Sequence, residues 1–266
     1  MNKIGNALHE IQTIDSIARR HQWVNALHPL IKLSLTLFYM IMVVSFDRYH
    51  FFGLLGMIVY PLIVFELAQL SLIHAVYKLR FILPFVCFVG LLNPIFDNIP
   101  IASFWGITLT SGMISMSTLM LKGVLTVLSS YLLIATTTIE DICYALRLLH
   151  IPKLLVTQIL LIYRYLSVLL SEAHRMTQAY SLRAPRQKGV HFKVWGSLAG
   201  LLLLRSMDRA NELYESMCLR GYHSEFYYSS QKKIAISDIL YWIIWIIIIL
   251  VFRIFPIFEL IGGLFV

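Results

Sequence analysis

The sequence predicts an all-α polytopic membrane protein: about five transmembrane helices, with an insert of two long amphipathic helices and a short one. Three observations carry this. The 266 residues are 59% hydrophobic and 14% charged, with a mean hydropathy of +0.76, whereas a soluble domain is nearer half apolar and a quarter charged. The apolar residues are gathered in long continuous runs, as membrane helices require and the short alternating segments of a β-barrel do not. The formal charge of +8 is uneven, because 13 of the 22 Lys and Arg fall between residues 139 and 233.

Residues 1–29 are polar and mildly amphipathic. Ile14, Ile17, Trp23 and Leu27 suit a short helix on the membrane surface, with Asp15-Ser16 at its start. His28-Pro29 breaks the pattern, and a first span follows over about 30–46. Asp47-Arg48 makes a tight turn into a second span, about 51–70, with Pro61 inside it. An internal proline is tolerated in a membrane helix where a neighbour satisfies the carbonyl it frees. A loop carrying Lys78 and Arg80 leads to a third span at about 81–96. The loop 97–111 has no Lys or Arg. A fourth span runs over about 112–136 and a last one over about 236–252. The expected division is 1–138 (amphipathic segment and four spans), 139–233 (the insert) and 234–266 (the last span and carboxyl terminus).

Charge sets the orientation. Placing the basic insert in the cytoplasm puts the loop at 71–80 inside and the Lys/Arg-free loop at 97–111 outside, as the positive-inside rule asks. The amino terminus is then cytoplasmic and the carboxyl terminus outside, in an inner or plasma membrane. The same rule accounts for the positive charge, so nucleic acid is not an expected partner; the lipid bilayer is. Cys87, Cys143 and Cys218 have no CxxC spacing and indicate neither a disulfide nor a metal site. No secretory signal pattern opens the chain.

Within the insert, Ile139 to Leu149 reads as a short helix, with Thr138 as its cap and Glu140 and Asp141 at its positive end. Pro152 then introduces a helix from about 153 to 182. Leu155, Ile159, Ile162, Leu166, Leu169 and Leu170 form an apolar stripe on it. Pro185 stops this helix, and a basic turn at 186–189 follows. A second long helix spans about 191–220. The short apolar run 198–204 is read as its buried face, and Arg205, Asp208, Arg209 and Glu212 stand at spacings that permit intrahelical pairs. Gly196 and Gly200 have the GxxxG spacing that lets helices cross closely. Gly221 suits the C′ position. Each long helix thus ends on an arginine followed by a small residue, Arg183-Ala184 and Arg220-Gly221. Two cations at negative helix ends would explain either arginine alone. The repeated punctuation suggests two prongs offered to a partner, where a guanidinium can dock on a carboxylate or carbonyls.

The segment from Thr136-Thr137-Thr138 to Arg183, with LRLLHIPKLL and YRYLSVLLSEAHRM, resembles the transmembrane T component of energy-coupling factor (ECF) transporters. It is most similar to the CbiQ branch that serves cobalt and nickel uptake. Ile14-Asp15 and His28-Pro29-Leu30-Ile31-Lys32 resemble the same branch. The likeness covers most of the chain and is most specific from about 136 to 221.

In that family the helix-end elements are usually Ala-Arg-Gly, on coupling helices that dock into two cytoplasmic ABC-type ATPase subunits. By position, the resemblance makes Arg183, Ala184, Arg220 and Gly221 the docking residues. Here the elements read Leu-Arg-Ala-Pro and Leu-Arg-Gly, so the second keeps the glycine and the first does not. The resemblance implies a scaffold without a cofactor of its own. ATP and Mg belong to the partner ATPases, and a small membrane S component captures the substrate, cobalt or nickel ion. A shared vitamin-uptake module is the alternative.

Other classes fit less well. There is no GxxxxGK[ST] and no Gly-Lys dipeptide, so the chain is not expected to be the ATPase, nor an enzyme of another kind, since it has no HExxH. None of the nine histidines shows i, i+4 spacing. A self-sufficient secondary transporter would carry an inverted repeat, and none is visible. Lys122 and Glu66 lie nearest to span interiors, to snorkel or to pair within the bundle.

Overall fold

The computed structural model describes residues 15–19, 22–48, 50–71, 100–104, 107–184, 189–223 and 234–255, with Gly5, Thr13, Ala75, Tyr77, Pro84, Phe88 and Gly90 singly. The third expected span and Cys87 lie outside the described residues, apart from the three isolated positions Pro84, Phe88 and Gly90. The chain divides into two compact units. One is Arg19–Thr137 with Lys232–Val266; the other is Thr138–Gln231 with Met1–Ala18.

The first unit holds α1 (Trp23–Ala26), α2 (Pro29–Val44), α3 (Phe51–Leu55), α4 (Val59–Leu67), α5 (Ser111–Thr136) and α9 (Ile236–Ile254). The second holds α6 (Ile139–Leu148), α7 (Lys153–Arg183) and α8 (Phe192–Leu219). Among the described residues three helices are long and apolar enough to cross a membrane: α5, α7 and α9. The helices α2 and the run from Gly53 to Leu67 are shorter and equally apolar in character. A two-stranded antiparallel hairpin, β1 (Pro100–Phe104) and β2 (Ile107–Thr110), occupies the expected loop at 97–111. It is an addition to an otherwise helical fold.

His28 starts α2 by accepting the Leu30 amide on Nδ1 at 3.3 Å, and Pro29 follows at a position where its missing N–H costs nothing. The buried face of α2 is the i, i+4 row Ile31, Leu35, Tyr39 and Val43. Leu37, Ile41 and Val44 face outward, as a lipid-exposed side requires. The aromatic rings of Tyr39, Tyr60, Trp245, Tyr241 and Trp23 pack in sequence, at centroid distances of 4.5, 4.9, 6.2 and 5.7 Å.

Pro61 leaves the carbonyl four residues earlier, that of Met57, without its α-helical donor. The helix tightens to a 3₁₀ turn at Gly56–Ile58, and the Tyr39 hydroxyl donates to the Met57 carbonyl at 2.8 Å. The neighbour needed for an internal proline is therefore present. Gly56 keeps this turn close to α9: a Cβ there would stand 2.8 Å from the Phe252 ring.

Cations close the helix ends. Lys32 Nζ donates to the carbonyls of Asn25 (3.1 Å) and Thr136 (2.8 Å), so the start of α2 lies beside the end of α5. Lys122 donates to the carbonyls of Val44 and Phe46, and Arg253 to that of Ser45 at 3.0 Å, with its guanidinium 4.2 Å from the Phe46 ring centroid. Trp242 Nε1 donates to Ser34 Oγ at 3.1 Å near the starts of α9 and α2. Hence α2 and α9 run parallel and α5 runs antiparallel to both. Lys122 pairs within the bundle, and Glu66 is exposed near the end of α4.

The amino-terminal reading needs correction. Thr13 is already helical, so Asp15-Ser16 does not open a helix, and the Ser16 hydroxyl donates back to the Thr13 carbonyl at 2.7 Å. Gln22 is extended (φ −105°, ψ 153°), which separates Ile17 from Trp23 and Leu27. Ile14 lies outside the described residues.

Candidate functional site

The insert unit is built from three helices with well-formed ends. The Thr138 hydroxyl accepts the Asp141 amide at 3.1 Å, the expected cap, and Glu140 and Asp141 occupy the first turn of α6. At its other end the Ile151 amide reaches the Leu146 carbonyl and the His150 amide that of Arg147, a Schellman closure. His150 takes the left-handed position (φ 62°) usually given to glycine. Pro152 then precedes α7. Burial, followed by the charge of Glu140, pushes the Cys143 thiol pKa up.

The helix α7 contacts both α6 and α8. Glu172 of α7 pairs with Arg205 of α8, and Arg175 lies 4.0 Å from Glu172. Arg205 therefore bridges two helices, rather than pairing with Asp208 of its own helix. The interhelical carboxylate is the less exposed partner, and it holds the longer side chain.

The apolar faces that periodicity marks are largely uncovered. Leu155, Ile159, Ile162 and Leu166 of the α7 stripe are exposed, while Val156, Thr157 and Met176 are buried. On α8, Leu201, Leu203 and Leu204 are exposed and no residue is buried. The run 198–204 is thus not a buried face in this chain. Gly196 and Gly200 are open as well, with nothing within 4 Å of a Cβ at either.

The two arginine elements have different backbones. Arg183 is the last residue of α7, and Ala184 has left the helical region (φ −127°, ψ 64°), as the proline that follows it favours. Arg220 is the residue just past α8, followed by Gly221 at φ 77°. The Tyr222 amide donates to the Met217 carbonyl and the Gly221 amide to that of Cys218, both at 3.0 Å. Gly221 is therefore the C′ glycine of a second Schellman closure. Leu182 and Leu219, each immediately before its arginine, are 82% and 90% exposed, among the most exposed apolar side chains described. Sequence reasoning named these leucines only as flanks. Their signal was available, since an apolar residue at a polar helix end has no core to enter. Among the described residues neither the Arg183 nor the Arg220 guanidinium has a hydrogen-bond or ion-pair partner.

Residues 20–234 match the family model of the CbiQ cobalt transport protein. The chain belongs to the CbiQ family. Over 105 residues it is 30% identical to the nickel permease LarQ of Lactiplantibacillus plantarum, a match covering 40% of this chain and 38% of that relative. The chain thus spans well under half of the relative's length. The CbiQ match takes in α1 to α8 among the described helices, and with them Arg183, Ala184, Gly196, Gly200, Arg220 and Gly221. The family is that of a cobalt transport protein, and the long apolar helices make the chain a multi-pass membrane protein.

Proposed function

We propose that this chain is the transmembrane coupling subunit of an ATP-driven ECF-type importer of cobalt or nickel ion. The observation that carries it is the pair of helix ends, each presenting an exposed leucine and a guanidinium without a partner among the described residues. The two ends dock on two cytoplasmic ABC-type ATPase subunits, which hold ATP and Mg. The guanidinium supplies directional donors and the leucine an apolar knob. The insert carries their closing motion to the membrane helices and to a separate S component that captures the ion.

Among the described residues no group of three or more His, Cys, Asp or Glu could hold a metal ion. The antiparallel run of α5 against α2 and α9 agrees with spans that place the amino terminus in the cytoplasm and the carboxyl terminus outside. The insert is assigned to the cytoplasm on its charge, although α7 is long and apolar enough to span.

The test is affinity purification of the tagged chain from its native host, with Arg220→Glu beside it. Two ATP-binding subunits should accompany the wild type, and the variant should retain less than about a tenth of them, since reversing one partner of a docked charge costs several kcal/mol. Arg183→Glu should lose less, because Ala184 lacks the left-handed turn that Gly221 gives Arg220. Full recovery of the ATPases with Arg220→Glu refutes the assignment.

A further inference from the structure

Among the described residues Lys32 is the most buried cation of the membrane unit. It is 6% exposed, and its ammonium is spent on backbone, at the carbonyls of Asn25 and Thr136. Thr136 is the last residue of α5, so its carbonyl is one of the four that a helix end leaves without an internal donor. A lysine at this depth is expensive unless its donors are taken. Here each satisfies the other.

The position along the chain gives this bond its meaning. Thr137 is buried and non-helical, and Thr138 caps α6 and begins the second unit. The Thr136 hydroxyl donates to the Leu132 carbonyl at 2.8 Å, tightening the last turn. Thus α5 is fixed up to Thr136 and α6 is fixed from Thr138. Among the described residues this is the junction between the units with an α-helix directly on each side. The clasp is also reciprocal: Lys32 of α2 holds the end of α5, and Lys122 of α5 holds the end of α2. Lysine–carbonyl bonds thus tie α2 to its antiparallel neighbour at both ends of α2.

We propose that Lys32 is a positioning residue for coupling. It joins the end of α5 to α2, so that movement of the insert is delivered at Thr137-Thr138 to the α2–α5 pair as one body. Without it, the same movement is absorbed by fraying of the last turn of α5. The inference rests on the proposed coupling role, and its test separates the two.

The variant Lys32→Met keeps the length and apolar bulk and removes the donors. Two measurements follow on the full complex and on the chain in detergent. The first is Co²⁺, then Ni²⁺, taken up by proteoliposomes per ATP hydrolysed. The second is amide hydrogen exchange over residues 133–137. Lys32→Met should retain its ATPases yet move about tenfold less ion per ATP, within the range of ordinary coupling energies, and its 133–137 amides should exchange about tenfold faster. Lys32→Arg, which keeps the donors, should restore both. An unchanged ion-to-ATP ratio in an intact Lys32→Met complex overturns the inference, and so does unchanged exchange at 133–137. If the wild type brings no ATPase, the coupling function itself fails, while exchange on the chain alone still decides whether Lys32 pins α5. Should Lys32→Met fail to accumulate, Lys32→Gln, which keeps a neutral donor, carries the same test with the same expected direction.

Discussion

The Tyr39–Met57 bond gives a sharp test of how this chain accommodates a proline inside a span. Tyr39→Phe removes one hydroxyl and leaves the ring in place against Tyr60, so packing is conserved. Tyr39 is fully buried, and no water replaces the lost donor. Polar contacts between membrane helices average about 0.6 kcal/mol and reach about 1.7, while an orphaned buried acceptor costs about 1–3 kcal/mol. The Met57 carbonyl has lost its α-helical donor to Pro61, which places this bond at the upper end, about 1.5 kcal/mol.

The same logic predicts how the cost disappears. Pro61→Ala restores an amide four residues after Met57, and that amide can donate to the same carbonyl. In the Pro61→Ala background Tyr39→Phe should therefore cost no more than about 0.5 kcal/mol, leaving a coupling of about 1 kcal/mol between the two positions. The assay is reversible unfolding of the four variants in bicelles by titration with dodecyl sulfate. An equal cost of Tyr39→Phe in both backgrounds refutes the link between the hydroxyl and the proline, however large that cost is.

Three further outcomes are expected. Lys122→Met should destabilise the membrane unit by about 2 kcal/mol, the worth of charge-assisted bonds to the Val44 and Phe46 carbonyls, and Lys122→Arg should recover most of it in the same unfolding assay. Glu172→Arg and Arg205→Glu should each speed amide exchange where α7 meets α8, by no more than about 1 kcal/mol because Arg205 is half exposed, and the double swap should reverse the effect. In a Cys87→Ser background a maleimide at pH 7 should label Cys218 and spare Cys143, which is fully buried. The pH dependence of the insert follows from the raised Cys143 pKa: the unfolded thiol ionises first, near about pH 8.5, so stability is full below that pH and falls as pH rises above it.

Much of the membrane unit was legible because long apolar runs have few other solutions in a bilayer. The spans at 30–46, 51–70, 112–136 and 236–252 correspond to α2, to α3 through α4, to α5 and to α9. Local end signals were legible where chemistry is specific, at the Thr138 cap and at Gly221. The left-handed His150 was not, because histidine has no strong preference that marks it. The partners of Lys32 and Lys122 were hidden for a different reason: they are backbone carbonyls, which leave no trace in the sequence. Periodicity correctly found apolar faces on α7 and α8 but could not say what covers them. A stripe such as Leu155, Ile159, Ile162 and Leu166 records that a face avoids water, whether its cover lies in its own chain, in a partner or in lipid. The hairpin at 100–110 was lost in a loop defined only by its lack of Lys and Arg.

The two readings of Arg183 and Arg220 can be weighed against the cations that do close helix ends here. Lys32, Lys122 and Arg253 each donate to a carbonyl at the end of α2 or α5, or just beyond it. In the membrane unit, then, a cation at a helix terminus is an end cap. Arg220 is placed differently. The carbonyls of Met217 and Cys218 already accept the amides of Tyr222 and Gly221, so the end of α8 is closed by its own backbone. What remains for Arg220 is an exposed dipole interaction, about 0.3–1 kcal/mol, which lysine would supply equally. The end of α7 has one such backbone bond, from the Ala184 amide to the Tyr180 carbonyl at 3.1 Å, and Arg183 adds none from its side chain among the described residues. Capping therefore does not require a guanidinium at either site, nor an exposed leucine before it. The proposed docking uses both. Substituting Lys at Arg220 separates the two: end capping survives the change, whereas a docking site that uses the planar fork loses ATPase recovery by about tenfold. Undiminished recovery with Arg220→Lys, alongside loss with Arg220→Glu, would reduce the contribution of Arg220 to charge alone and leave Leu219 as the directional contact.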